Sequence, residues 1–301
     1  MSFNKNGLDW LSRSTGIAPQ NIAVARLKGS TSSKVYRILD VGHADATPYV
    51  LRVLDNPEWL ADEPDLIVHE AAALQEAGRA NLNAPHLIAY ATDDVGFGAP
   101  VLLMSLVPGQ IELQPSNIQS WLNELAQALA AIHWHTAPAF PWRFKSWVNR
   151  TALAPPHWTR VPQVWAQAIA HILQPEPVYA PVFIHRDYHP TNVLFQHGAV
   201  SGVVDWINAC RGPAGVDLAH CKTNLVMLMG LDAAERFHDA YLKAADGFVY
   251  DPYWDIDSIL DMCIPEPGFY EPWAQFGLAR IAREVLQQRI DDYLEHLLRT
   301  P

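Results

Sequence analysis

His185-Arg186-Asp187-Tyr188-His189-Pro190-Thr191-Asn192, followed by Val203-Val204-Asp205-Trp206, is the stretch that decides how this chain is read. It sets an Asp, an Asn five residues later and a second Asp thirteen residues beyond that on one short, strand-flanked segment. Moving a phosphoryl group to an alcohol needs positioning and charge neutralisation more than covalent help. One carboxylate must orient the attacking hydroxyl and accept its proton, a task that suits Asp187. Hard oxygen donors must hold Mg²⁺ against the phosphates, and Asn192 and Asp205 supply a side-chain carbonyl and a carboxylate. Asn192 to Phe195 and Val200 to Asp205 read as two strands around a turn at Gln196-His197-Gly198. Such a hairpin returns Asp205 towards Asn192. Asp, Asn, His and Pro also favour turns for purely structural reasons; the complete set at this spacing is what points to chemistry. His185 and His189 have a zinc-compatible separation, but Pro190 argues against a helix presenting both, and no cysteine pair lies nearby. His185 reads instead as a structural brace for the loop.

The same residues, with Val193-Leu194-Phe195 and then Gly215-Val216-Asp217-Leu218-Ala219, resemble the aminoglycoside phosphotransferase family. These are small-molecule kinases related in fold to protein kinases and choline kinases. His189 and Pro190 separate this loop from that of protein kinases. The resemblance implies an α+β, two-lobed, protein-kinase-like fold, with a small antiparallel-sheet N-lobe and a mostly helical C-lobe. It implies Asp187, Asn192 and Asp205 as the catalytic set: Asp187 as base, Asn192 and Asp205 as magnesium ligands. ATP, with GTP as the alternative, and Mg²⁺ are the implied cofactors. Asp217 matches a residue that braces the active segment, a role compatible with a helix N-cap.

Weaker matches run upstream in the expected order. Leu27 to Arg37 looks like the nucleotide loop, with Gly29, Ser30 and Ser33 at the phosphate-facing positions. Small residues there let backbone N–H groups approach phosphate oxygens. Arg52, on the strand Tyr49 to Leu54, stands where protein kinases carry a phosphate-pairing Lys, and an Arg can grip phosphate bidentately. Glu70 is the expected acidic partner on the following helix, with Glu76 as its competitor and a solvated helix face as the plain alternative. By resemblance, adenine meets backbone groups from Ser105 to Val107.

At 301 residues, half of them apolar, the chain can bury a sizeable core. Strand-like runs fall near 22–28, 34–40, 48–54, 86–91 and 100–107, with one helix, Asp62 to Gly78, between the third and fourth. Pro108-Gly109 then marks a hinge, giving an N-terminal nucleotide lobe over 1–108 and a helical C-terminal lobe over 109–301. Ser116 and Gln119 form a capping-box signature for a helix to about His135. Further helices are expected near 163–174, 216–230, 232–246 and 273–299. Three scattered cysteines suit a reduced, cytoplasmic protein. The N-terminus has no signal-peptide pattern, and no apolar run reaches membrane-spanning length. The net charge of −11 disfavours nucleic acid as a partner. Nothing in the sequence sets the oligomeric state.

Between Lys243 and Arg280 there is no Lys or Arg, but seven carboxylates and eight aromatic residues. Carboxylates concentrate cationic ligands, and aromatic faces take ammonium groups or stack on sugars; a solvated helical surface is the alternative. Asp255, Asp257 and Trp273 are the acceptor-site candidates here. The preferred reading is an O-phosphotransferase for a small, cationic, aminoglycoside-like hydroxyl compound. Macrolides rank next, then a metabolic amino alcohol or sugar, and a nucleotide-binding pseudokinase with a regulatory role is the non-enzymatic rival. Whether the role is antibiotic resistance or metabolism stays open. The twelve residues from Asp205 to Asp217, with no Ala-Pro-Glu, leave little room for the activation loop of a protein kinase.

Overall fold

The computed structural model describes residues 3–29, 32–43 and 45–299. The described chain divides into two compact units, Met1–Gln110 with Ser201–Asn208, and Ile111–Val200 with Ala209–Pro301. Among the described residues no helix is long and apolar enough to cross a membrane.

The first unit is built on a five-stranded sheet of β1 (Ile22–Arg26), β2 (Lys34–Asp40), β3 (Tyr49–Val53), β4 (Leu87–Ala91) and β5 (Val101–Ser105). Its strand order is β1-β2-β3-β5-β4, and every neighbouring pair is antiparallel. Two-residue periodicity sends Tyr36, Ile38, Leu51, Val53, Val101 and Leu103 into one apolar cluster. Helix α1 (Lys5–Thr15), which the sequence reading did not anticipate, adds Trp10 and Leu11 to that cluster. Asn4 caps α1 by accepting the Gly7 N–H at 3.0 Å. Between β3 and β4 lie α2 (Pro57–Asp62) and α3 (Leu66–Arg79), so the single expected helix is two. Pro57, capped by Asn56, starts the first of them.

The second unit is mainly helical: α4 (Ile118–His133), α5 (Pro162–Ile172), α6 (Ala214–Met229), α7 (Leu231–Ala244), α8 (Tyr253–Cys263), α9 (Pro272–Gln275) and α10 (Arg283–Arg299). Short strands β6 (Val182–Ile184) and β9 (Cys210–Gly212) pair with each other, as do β7 (Val193–Gln196) and β8 (Ala199–Val203). The β7–β8 turn is the one expected, with His197 and Gly198 both at positive φ. Three helix readings need correction. Asn117, not Ser116, caps α4 by accepting the Ser120 N–H at 3.1 Å, and Gln119 donates to Asn123 instead of closing a capping box. The run read as one helix over 273–299 is α9 and α10, separated around Gly277 at φ 87°. The acidic, aromatic stretch between them and α7 contains α8, whose residues 253–260 are all buried.

Candidate active site

In the second unit, the segment from β6 to β7 is fixed from beneath by Asp217 in the first turn of α6. Its two carboxylate oxygens accept the backbone N–H groups of His185 and Arg186, each at 2.7 Å, and Oδ2 also lies 3.1 Å from His133 Nε2. Burial pushes this carboxyl up, but the His133 contact and the backbone donors win and hold it below its ordinary range. Asp217 therefore does the bracing expected of it. Under this clamp Arg186 adopts φ 72°, a conformation that costs a bulky residue about 1–3 kcal/mol. Charge-assisted hydrogen bonds from a buried carboxylate are strong enough to offset it.

Asp187 follows directly. Asn192, at the end of a 3-10 turn begun by Pro190, donates its amide N–H to the Asp187 carbonyl at 2.9 Å and to Oδ2 at 3.1 Å. That commits the nitrogen and leaves the amide carbonyl oxygen as a hard donor, which fits the chemistry of Mg²⁺. Asp187 Oδ1 lies 3.2 Å from His220 Nε2 and 3.5 Å from His189 Nε2. Burial works to raise the Asp187 pKa, yet His189, His220 and His185 together depress it well below the usual carboxylate range. The side chain keeps 30% of its surface exposed. It is an ionised carboxylate with an open face. The ligand atoms of Asp187, His189 and His220 lie within 4.8 Å of one another; two nitrogens and one oxygen form a borderline set, unlike the all-oxygen shell Mg²⁺ prefers.

In the first unit, Arg52 on β3 is only 5% exposed. Its Nη2 lies 2.8 Å from Asp205 Oδ1 and its Nη1 lies 3.4 Å from Glu70 Oε1 on α3. Glu76 instead pairs with Arg79 at 2.7 Å, so Glu70 is the acid that meets Arg52. Burial, only partly countered by Arg52, raises the Glu70 pKa to about 7. Asp205 sits just past β8 at φ 69°, a left-handed conformation that Asp tolerates better than most.

The other expected nucleotide positions belong to the same unit. Gly29 (φ 96°) and the buried Ser33 lie in the β1–β2 connection; Ser30 falls outside the described residues. Ser105 ends β5, where its N–H donates to the His86 carbonyl at 2.9 Å and its Oγ accepts the His86 N–H at 2.8 Å. The Leu106 N–H donates to the Pro48 carbonyl. Gly202 packs beneath Val107 so closely that a Cβ there would meet Val107 Cγ1 at 2.5 Å.

A partly open pocket lies in the second unit next to Asp187, which His220 of its wall contacts at 3.2 Å. Its walls include Trp147, Arg186, His220, Trp254, Asp257 and Asp261. Of the three acceptor candidates, only Asp257 lines it. Asp257 accepts from Ser146 Oγ at 2.7 Å and lies 3.8 Å from Arg150; burial raises its pKa, as it does that of Asp261. Asp255 is instead locked in the interior, taking the hydroxyls of Tyr250 and Tyr293 and lying 3.2 Å from Lys222. Trp273 is fully buried. His220 and Trp147 were not singled out by the sequence reading. His220 was within reach of it, since it lies one helical turn after Asp217 on α6; Trp147 lies in an irregular connector with no periodic signal.

Residues 23–255 match the model of the phosphotransferase enzyme family, APH. The chain belongs to that family. A homoserine kinase of Phenylobacterium zucineum is 29% identical over 134 residues, 40% of either chain. An N-acetylmuramate/N-acetylglucosamine kinase of Neisseria meningitidis is 26% identical over 123 residues, 39% of this chain and 32% of that one. The match thus spans well under half the length of these curated relatives. Among solved structures, a macrolide 2'-phosphotransferase of Brachybacterium faecium superposes with a TM-score of 0.59 at 16% identity, covering 98% of each chain. A choline kinase of Cryptosporidium parvum gives 0.57 at 12% identity over 98% of this chain and 95% of that one. An aminoglycoside phosphotransferase of Streptomyces rimosus with ADP and streptomycin bound gives 0.58 at 16% identity over 85% and 96%. The fold is accordingly the α+β, protein-kinase-like fold of small-molecule phosphotransferases.

Proposed function

We propose that this protein transfers the γ-phosphoryl group of ATP, or GTP, to a hydroxyl of a small molecule. The observation that carries the reading is Asp187: an ionised carboxylate beside a cavity, oriented by the Asn192 amide and held anionic by neighbouring imidazoles. In this role Asp187 accepts a hydrogen bond from the acceptor hydroxyl, aligns it for attack and takes its proton as the phosphoryl group moves. Asn192 and Asp205 would hold Mg²⁺, which when bound neutralises charge on the phosphates; this assignment rests on their spacing and on the family. Arg52, fixed by Glu70, would ground the phosphates, and Gly29, Ser30, Ser33 and the backbone from Ser105 to Val107 would bind the nucleotide.

The cavity carboxylates Asp257 and Asp261 and the faces of Trp147 and Trp254 suit an amine-bearing acceptor. A cationic aminoglycoside-like compound meets that description, and so do amino alcohols and amino sugars. The relatives named for homoserine and for amino sugars favour a metabolite of that size. The protein would act in the cytoplasm, with nucleotide and acceptor as its partners.

The test is ADP release by the purified protein with ATP and Mg²⁺, run against aminoglycosides, macrolides, amino alcohols, hydroxy amino acids and sugars. Acceptor-dependent release should fall about 10²–10⁴-fold in Asp187→Ala, the range of a lost general base, while the variant keeps its fold by circular dichroism. Near-wild-type turnover in that variant would remove Asp187 from the chemistry.

A further inference from the structure

We propose that Arg186 binds a carboxylate of the acceptor, so that the preferred substrate is a hydroxyl compound bearing an acid group, in its simplest form a hydroxy amino acid. The proposal deepens the phosphotransferase reading and rests on it for the fate of the hydroxyl, though not for the binding site itself. Arg186 is 94% buried, with 6% of its surface exposed, and it lines the cavity beside Asp187. One guanidinium nitrogen donates to the Lys145 carbonyl at 2.6 Å. The group lies over the Trp147 ring, 3.7 Å from its centre, and 4.5 Å from that of Phe144. Among the described residues, no carboxylate comes within the 4.0 Å of an ion pair with it.

A buried charge is normally paired, because an unpaired one forfeits its hydration without return. Aromatic faces and one carbonyl leave the in-plane donors of the fork without an anion. A guanidinium presents its donors in the geometry a carboxylate accepts bidentately. Asp261, Asp257 and Asp217 act on the guanidinium only from beyond ion-pair distance, and a bound acid group would supply the in-plane partner. The backbone is held by Asp217 and the side chain by Trp147, so the fork is fixed in place before the ligand arrives.

The rest of the cavity sorts its ligand further. Asp257 is engaged by Ser146 and Arg150, whereas Asp261 makes no ion pair among the described residues and faces the same space. A carboxylate on Arg186 and an ammonium near Asp261 describe a zwitterion. His220 joins the cavity to Asp187, 3.2 Å from its Oδ1, so a hydroxyl on a short arm from that zwitterion reaches the proton acceptor.

The deciding experiment is calorimetric titration of the full-length wild-type protein with L-homoserine and N-acetylmuramate, and with their carboxylate-free counterparts L-homoserinol and N-acetylglucosamine. The same titrations are run on Arg186→Met and Arg186→Lys, and ADP release is followed with every ligand. At least one acid should bind wild type about tenfold or more tightly than its counterpart. Arg186→Met should erase that preference and Arg186→Lys, a point charge without the fork, should keep only part of it. Equal affinity for acids and counterparts in wild type, a preference that survives in Arg186→Met, or no acid binding at millimolar concentration would each overturn the proposal. The wild-type comparison decides it even if a variant misfolds. Acid-selective binding without ADP release would uphold the Arg186 site while sinking phosphoryl transfer; release that ignores the acid group would do the reverse.

Discussion

Two clusters in this molecule surround a carboxylate with nitrogen bases, and they drive it in opposite directions. In the first unit Glu70 is 1% exposed and shares the Arg52 guanidinium with Asp205, which lies nearer to it, at 2.8 Å against 3.4 Å. Burial wins, and Glu70 titrates at about 7. In the second unit Asp187 is contacted by His189 and His220 and feels His185, and the Asn192 amide fixes its orientation. There the imidazoles win, and the carboxyl is held below its ordinary range. Burial acts in the same sense on both; what differs is whether the favourable neighbours are shared. A carboxylate that shares its cation with a second carboxylate is poised near neutrality, and one with several neighbours of its own stays ionised. The first arrangement suits a structural clasp that can loosen, the second a base that must be ready.

The sharpest way to break this contrast is to remove the shared cation. Arg52→Met should destabilise the chain by about 3–5 kcal/mol, the usual consequence of leaving buried charge uncompensated. Urea unfolding would read this as a lower midpoint at unchanged slope. Adding Glu70→Leu to Arg52→Met should restore much of the loss, because the fully buried carboxylate goes with its partner. A cost below about 1 kcal/mol for Arg52→Met would mean that packing, not the ion pair, holds α3 against β3.

A smaller effect should appear in the pH dependence of stability. Glu70 titrates at about 7 in the folded chain, above the ordinary 4.5 expected when unfolded. Between those values the folded state holds a proton that the unfolded state has released. The stability linked to this group is therefore complete below about pH 4.5 and is lost as pH rises through about 7. Glu70→Gln should abolish that slope, a difference of roughly 3 kcal/mol across the window at ~1.4 kcal/mol per pH unit. Thermal melts of both proteins from pH 4.5 to 8 would show it, and parallel profiles would sink the account of Glu70.

Most of what positions these clusters was legible in the sequence, for reasons that differ by residue. Asp187, Asn192 and Asp217 were readable because a local motif fixes them: each contact spans a turn or a clamp onto the same loop. The five strands were readable because alternation of apolar residues is forced on a sheet with one buried face. Arg52 and Glu70 followed from order along the chain, and the choice against Glu76 needed the observed Arg79 pair. The lining of the cavity was not readable. Asp255 and Asp257 are two residues apart and equally acidic in sequence, yet one is sealed by Tyr250, Tyr293 and Lys222 and the other faces a cavity. Tyr250 is five positions from Asp255, but Tyr293 and Ser146 lie 38 and 111 positions from the carboxylates they meet, which no local pattern encodes. Arg186 was quoted in the motif, but that no carboxylate among the described residues forms an ion pair with it is a property of the folded chain alone.

The smallest prediction sharpens the second half of the contrast. His220→Gln keeps a side chain able to donate to Asp187 but removes the imidazole that helps hold it ionised. The Asp187 pKa should move back up towards its ordinary value, though not all the way, since His189 and His185 remain. A carboxylate depressed in the folded state contributes stability above the unfolded pKa, and that contribution is lost as pH falls through the folded one. Raising the folded pKa therefore brings the loss to higher pH and reduces its total. The expected cost is at most about 1 kcal/mol, the scale of a partly exposed charge contact. It should appear as an acid-unfolding midpoint raised by a fraction of a pH unit in circular dichroism, with the full cost already present at pH 8. An acid midpoint that stays put, or falls, would show that His220 does not help hold Asp187 ionised. The carboxylate would then owe its state to His189 and His185, and the cavity wall and Asp187 would be coupled by position rather than by charge.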